Sequence, residues 1–469
     1  MAYVGLLLFS LLLILSLISQ VALRSPLARN CALLASSLLF YAFGGIIYIL
    51  LLVFLTLLFW YCGMLLPDAK SQGAKKALVA VPVIFSLALL IYFKYTAPLL
   101  ETTRQLFRVP ETVPQIVIPL GISVYSLNLI SYIVDVYRET LAPEKNFLQL
   151  LTYSSLFHLC LGGPLVRYRD VRKRLAARKP RLQNLSVGIS RFALGITKAL
   201  VLAGSLEPLC NQLLARSNQG LLSAPALGLW LGVFFSAIRI YLLLSGYADI
   251  ACGLGLLSGL RYPDNFDYPL LSCSVTSFYE KWFLSLSSFL QEYVAAPLQT
   301  KDGKRKTLAA FVSCVLFGLW FGGSPNFLLL GLFLALATLA EQKLLHKLPA
   351  VVRGILGVLG IFLFFFLFSF TSLPRLGIAL AGLIGLNHGG FFQSAYLAPA
   401  LHALPLILVS ICFCLPLGNI LKNIMHQRFH ENLPMMTLVS IWESLYPIVL
   451  LILTAVLLFL GKTATFLTF

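Results

Sequence analysis

The sequence predicts an all-α polytopic membrane protein, and three observations carry that prediction. Hydrophobic residues make up 59% of the chain and the mean hydropathy is +0.90. Apolar runs near the ~20 residues needed to cross a bilayer recur along its length. The charged residues, only 11% of the total, gather in short pieces between those runs. A soluble domain would not tolerate so apolar a composition. The net charge of +18 follows the loop pattern that orients membrane proteins, and no soluble basic domain accompanies it, so nucleic acid is excluded as a partner.

Taken in order, Met1 to Ala22 is apolar but lacks a basic start and a small-residue cleavage site, which predicts a retained helix. Arg24 and Arg29 behind it belong in the cytoplasm, placing the N-terminus outside. Runs at Cys31–Phe43, Ile46–Leu66 and Leu78–Phe93 predict the next helices. Pro119–Tyr137 follows; Asp135 and Arg138, three apart on one face, read as an ion pair at its end. Asn146–Gly163 carries a lone histidine, His158. Arg167 to Arg181 holds eight basic residues against Asp170 alone. It is therefore a cytoplasmic loop, either a solvated face or a surface for anionic lipid or an acidic carrier protein.

Leu185–Leu206 and Ala224–Leu244 lead into the stretch that organises the chain, Ser245 to Leu298. It begins as a glycine-rich apolar helix bearing Tyr247 and Asp249 and breaks at Arg261-Tyr262-Pro263-Asp264-Asn265. It then resumes as a helix carrying Glu280, Trp282, Phe283, Ser287 and Gln291. An aspartate among apolar residues is expensive in a bilayer, so Asp249 is expected in a polar cavity between helices. A turn at membrane depth is tolerated only inside protein or against a water-filled funnel. A second basic cluster, Lys301 to Lys306, precedes the run holding Trp320 and Phe321. Phe327–Leu344, Val351–Phe370, Leu376–Leu386, His402–Leu421 and Ile448–Leu460 complete the chain. The total is roughly eleven to thirteen spanning or re-entrant helices.

The stretch from Ser245 to Leu298 resembles the signature of the membrane-bound O-acyltransferase (MBOAT) family. The likeness is to the bacterial branch that O-acetylates alginate and similar exopolysaccharides or D-alanylates teichoic acids. Pro119-Leu120-Gly121-Ile122-Ser123, the segment Pro164-Leu165-Val166-Arg167-Tyr168-Arg169 and Gly318-Leu319-Trp320-Phe321-Gly322 extend the likeness. It implies a helical bundle with a central tunnel. The chain then reads as one integral membrane domain, 1–469, with N-terminal helices at 1–115, an MBOAT-like core at 116–345 and C-terminal helices at 346–469. The tunnel would be lined by Tyr247, Asp249, Asn265, Glu280, Trp282, Phe283, Ser287, Gln291, Trp320 and Phe321. The family places one histidine after the tryptophan of the first motif and another in the second. Here Phe283 and Phe321 stand in those places.

That substitution bears directly on chemistry. An alcohol is a poor nucleophile near neutral pH, and a histidine positioned to take its proton contributes about 10²–10⁴-fold in rate. Phenylalanine keeps the planar bulk and removes both nitrogens. The expectation is a catalytically degenerate membrane subunit of an envelope polysaccharide acylation system in the bacterial cytoplasmic membrane. It would have lipid and a partner protein as neighbours and possess no bound cofactor. Two alternatives stay open. One is an active O-acyltransferase with a displaced base, His158 first and Glu280 second, drawing on acyl-CoA or an acyl-carrier protein at the basic loops. The other is a transporter of acyl or lipid groups. The nine cysteines are scattered singly and read as small buried hydrophobes. His426 and His430 share a face, yet no ligand set completes a metal site around them.

Overall fold

A computed structural model describes residues 15–20, 22–23, 25–107, 116–160, 162–177, 182–215, 217–299, 305–429 and 433–459. Among these, six helices are long and apolar enough to cross a membrane, and a seventh span arises if the bent pair Ser394–His402 and Leu404–Cys414 counts as one. The chain is an all-α, multi-pass membrane protein. Large apolar side chains stand outward on these helices, as a lipid-facing surface requires: Ile47, Ile84 and Val351 are each at least 65% exposed. Most of the segment Met1 to Ala22, Arg24, Lys301–Lys304 and His430 lie outside the described residues.

The described chain divides into two compact units, residues 1–192 with 250–264, and residues 193–249 with 265–469. In the first unit, α1 (Pro26–Ala42), α2 (Ile46–Leu65) and α3 (Gln72–Leu90) pack with α4 (Ile122–Tyr137). Continuous leucine, isoleucine and phenylalanine leave α2 no polar face, as a span requires. Helix α5 (Phe147–Ser154) is capped by Asn146, whose Oδ1 accepts from Leu148 N at 3.0 Å. The run expected as helix to Gly163 instead stops at Ser154 and continues as one 3₁₀ turn, Phe157–Leu159, because Gly162, Gly163 and Pro164 cannot extend it. Beyond it α6 (Tyr168–Ala177) closes a polar knot. Glu144 accepts from the Tyr168 hydroxyl at 2.7 Å and from Arg172 Nε at 3.1 Å. Asp135, expected to pair with Arg138, is fully buried and meets Arg169 at 3.4 Å. Burial, reinforced by the adjoining Glu144 carboxylate, holds the Tyr168 phenol proton on well above its usual range.

In the second unit, α7 (Leu182–Ile196, from Ala193 on) continues through a π-helical segment, Thr197–Leu202, into α8 (Ala203–Leu213). Helix α9 (Ala226–Leu257) is a single 32-residue element, so Asp249 sits inside a spanning helix rather than at its start. Its last turns, from Ile250, belong to the first unit. The short helices α10 (Val275–Lys281) and α11 (Leu284–Leu290) follow the turn. They replace the one continuous helix expected there. Helices α12 (Lys306–Phe321) and α13 (Pro325–Lys343) form a tight hairpin. A Cβ on Gly318 would come within 2.4 Å of Gly331 N, so only glycine admits this approach. Helix α14 (Ala350–Ser369) packs on α13. At the end of α13, Glu341 accepts from Val275 N at 2.6 Å and Thr276 N at 2.8 Å, satisfying the first amides of α10.

Candidate functional site

The site grows from the way residues 265–267 pair with residues 281–285. An antiparallel bridge joins Phe266 to Trp282, and Asp267 N donates to Lys281 O at 3.1 Å. Leu284 N donates to Asn265 O at 2.9 Å, and the Ser285 amide and hydroxyl both donate to Asn265 Oδ1. Asn265 thus caps α11 from a different segment, because the residue at the cap position, Phe283, has no side-chain acceptor. Trp282 is extended and Phe283 is left-handed, with φ 54° and ψ 56°. A bulky L-residue in that region costs of order 1–2 kcal/mol. The surrounding pairing over-determines it, as strained positions require.

This elbow aims the Phe283 ring at Phe321, their centroids 5.4 Å apart and nearly perpendicular. Phe266 flanks Phe283 at 5.0 Å, and Phe317 and Phe368 flank Phe321 at 5.4 and 5.2 Å. Trp282 is fully buried and packs against Phe278, Phe364 and Phe365. Its indole N–H and the Asn265 amide Nδ2 are buried with no hydrogen-bond partner among the described residues. The two positions singled out in the sequence therefore meet in space, and what they build is an aromatic wall with two orphaned donors beside it.

Other expected lining residues distribute differently. Asp249 pairs with Lys198 Nζ at 2.8 Å. Tyr247 is buried, Trp320 and Ser287 are half-buried, and the Ser287 hydroxyl donates to Leu284 O. Glu280 and Gln291 are exposed, so the burial that would make Glu280 a candidate base is absent. His158 belongs to the first unit, where it is buried and its Nδ1 lies 2.9 Å from the Tyr262 hydroxyl. Tyr262 was not singled out in the sequence; nothing in a turn-rich segment distinguishes it. Lys198 could have been, since a lysine in the apolar run Leu194–Leu202 carries the same signal as Asp249. His426 lies 3.1 Å from Glu443.

The family model for MBOAT, membrane-bound O-acyltransferase family, matches residues 33–348. The relatives described below are bacterial. A protein of Azotobacter vinelandii described as "probable alginate O-acetylase AlgI" is 33% identical over 65% of this chain and 61% of its own length. The "peptidoglycan O-acetyltransferase" of Helicobacter pylori is 24% identical over 79% of this chain and 76% of its own length. The "teichoic acid D-alanyltransferase" of Bacillus subtilis is 24% identical over 46% of this chain and 56% of its own length. The match to the Azotobacter protein leaves more than a third of that relative's length without a counterpart.

Proposed function

The chain belongs to the membrane-bound O-acyltransferase family, and from that premise we propose that it is the membrane subunit of a cell-envelope polysaccharide acylation system in which the family chemistry has been lost. The observation that supports this reading is the ring pair Phe283–Phe321, 5.4 Å apart at the elbow where the resemblance calls for two histidines. Neither ring can accept a proton from an alcohol, and the rings that flank them, Phe266, Phe317 and Phe368, are themselves aromatic hydrocarbons. The elbow persists without the chemistry: a left-handed Phe283, held by Asn265, has no local benefit that offsets its strain. A scaffold kept for docking or for conducting an acyl group accounts for that. The partner would be another protein of the same system. Anionic lipid or an acidic carrier would meet the basic face around Arg167, Lys173 and Arg174.

A second reading keeps the enzyme active through His158, drawing on acyl-CoA or an acyl-carrier protein. The Tyr262 hydroxyl at His158 Nδ1 favours it, since a partner on one ring nitrogen fixes the tautomer and orients the other. One experiment separates the two. Labelled acetyl transfer is measured in membranes holding this protein alone, with a thioester donor on the cytoplasmic side and a hydroxyl-rich polysaccharide as acceptor. No transfer by the native chain, with transfer appearing in the Phe283→His, Phe321→His double variant, is the expected result. Transfer by the native chain that is lost in His158→Ala overturns the first reading in favour of the second.

A further inference from the structure

One loop of the second unit holds four large apolar side chains outward without belonging to a spanning helix. Residues 384–393 join α15 (Leu373–Leu383) to α16 (Ser394–His402). In this loop Ile384 is 67% exposed, Leu386 75%, Phe391 70% and Phe392 55%. The backbone behind them is pinned to the residues that lead into α9. His388 N donates to Leu222 O at 2.9 Å, Ala226 N to Gly390 O at 2.9 Å and Leu227 N to Phe391 O at 3.1 Å. Asn387 Nδ2 donates to Leu221 O at 3.1 Å, and a Cβ on Gly389 would run into Ala224 O. The apolar side chains are therefore presented by a fixed cap of the second unit.

Depth and charge decide what covers this cap. Arg239 stands 13 residues after Ala226 and 18 before Leu257, so it lies in the half of α9 nearer Ala226. At 1.5 Å per residue Ala226 is about 20 Å further out, past the ~15 Å half-thickness of the hydrocarbon. The loop bonded to Ala226 and Leu227 thus stands clear of the hydrocarbon, where irregular backbone belongs. Contiguous apolar exposure outside the hydrocarbon marks an interaction site. Residues 217–238 and 376–421 contain no Asp, Glu, Lys or Arg, and His388 is the only ionisable residue of the loop. A face for anionic lipid would carry Lys or Arg. Beside the loop, Leu227, Gly228, Leu231, Tyr396 and Leu397 line a shallow apolar groove. The cap therefore carries an apolar knob and an apolar groove side by side. A twofold contact needs both, since each copy's knob meets the other's groove. A second copy in the same bilayer presents its cap at the same height, and on a chain of net charge +18 the cap brings no fixed charge to repel its twin.

We propose that this cap is the contact between two copies of the chain, related by a twofold axis along the membrane normal, with Phe391 of each seated against the groove of the other. The proposal does not depend on whether acyl transfer survives. The test co-produces two differently tagged full-length copies, one of them with the photo-crosslinker p-benzoylphenylalanine at position 391, and irradiates intact membranes. Position 351, 75% exposed on α14, takes the same probe as the control. The expected result is a product of twice the chain mass that carries both tags and is at least tenfold more abundant from 391 than from 351. Mass photometry of the full chain in nanodiscs supplies the second measurement. The native chain should read as two copies, and the double variant Ile384→Asp, Leu386→Asp, whose changes fall on exposed side chains, as one. A single copy per nanodisc for the native chain overturns the proposal, as does a product from position 391 that joins a different protein or none.

Discussion

At the residue scale, the side chains with most leverage are those whose partners would be stranded by their loss. Asn265 holds the amide and the hydroxyl of Ser285 with one oxygen. Asn265→Ala leaves both donors buried, which costs about 1–3 kcal/mol for such a group. Asn265→Asp keeps the acceptor, so thermal unfolding in detergent is expected to fall clearly for alanine and less for aspartate. Lys198→Ala removes the cation that pairs with Asp249 inside a spanning helix, and breaking a buried pair costs about 3–5 kcal/mol. The exchange Lys198→Asp, Asp249→Lys recovers much of that, because the pair is rebuilt with its polarity reversed. If the exchanged variant is no more stable than Lys198→Ala, the two groups are held by other neighbours rather than by each other. These residues differ in how far the sequence disclosed them. Phe283 and Phe321 were legible because each sits inside a long motif with a fixed register. Asp249 was legible from its cost in an apolar run. Lys198 carried the same signal and went unused, and its pairing with Asp249 depends on a helix crossing 51 residues away in sequence.

Elements were legible wherever composition alone decides them. The continuous apolar runs of α2, α13 and α14 give helices at the expected places. What periodicity could not disclose is the elbow between α10 and α11. Every residue from Val275 to Ala296 is compatible with a helix, and the break at Trp282 and Phe283 is imposed by pairing with residues 265–267. Tertiary pairing overrides local preference here, as it commonly does. The α12–α13 hairpin shows the converse, a feature set by single residues. Gly318→Ala would drive a Cβ to 2.4 Å from the backbone of Gly331, so the helices must separate, at a cost of about 1–3 kcal/mol for overpacking. Gly354→Ala, on α14 with nothing within 4 Å, is the matched control. It should lie within about 0.5 kcal/mol of the native chain, the usual range for surface substitutions. Equal melting shifts for the two variants would mean that helix propensity, rather than the close approach, governs the response.

For the whole molecule, orientation follows from charge rather than from any packing detail. The segment 167–181 concentrates eight basic residues between apolar helices, and the span Asn184–Leu213 leaves it toward residue 217. The positive-inside rule predicts that segment in the cytoplasm and Ser217 on the outer side. Reporter fusions test it directly. A fluorescent protein joined after Pro180 should fold and fluoresce, and alkaline phosphatase joined after Ser217 should be active; the converse fusions should be silent. Changing the eight basic residues to glutamine should erode that asymmetry, giving mixed signals at both sites, because loop charge supplies the orienting bias and apolar length does not. If the asymmetry survives the change, orientation is set by the helices upstream.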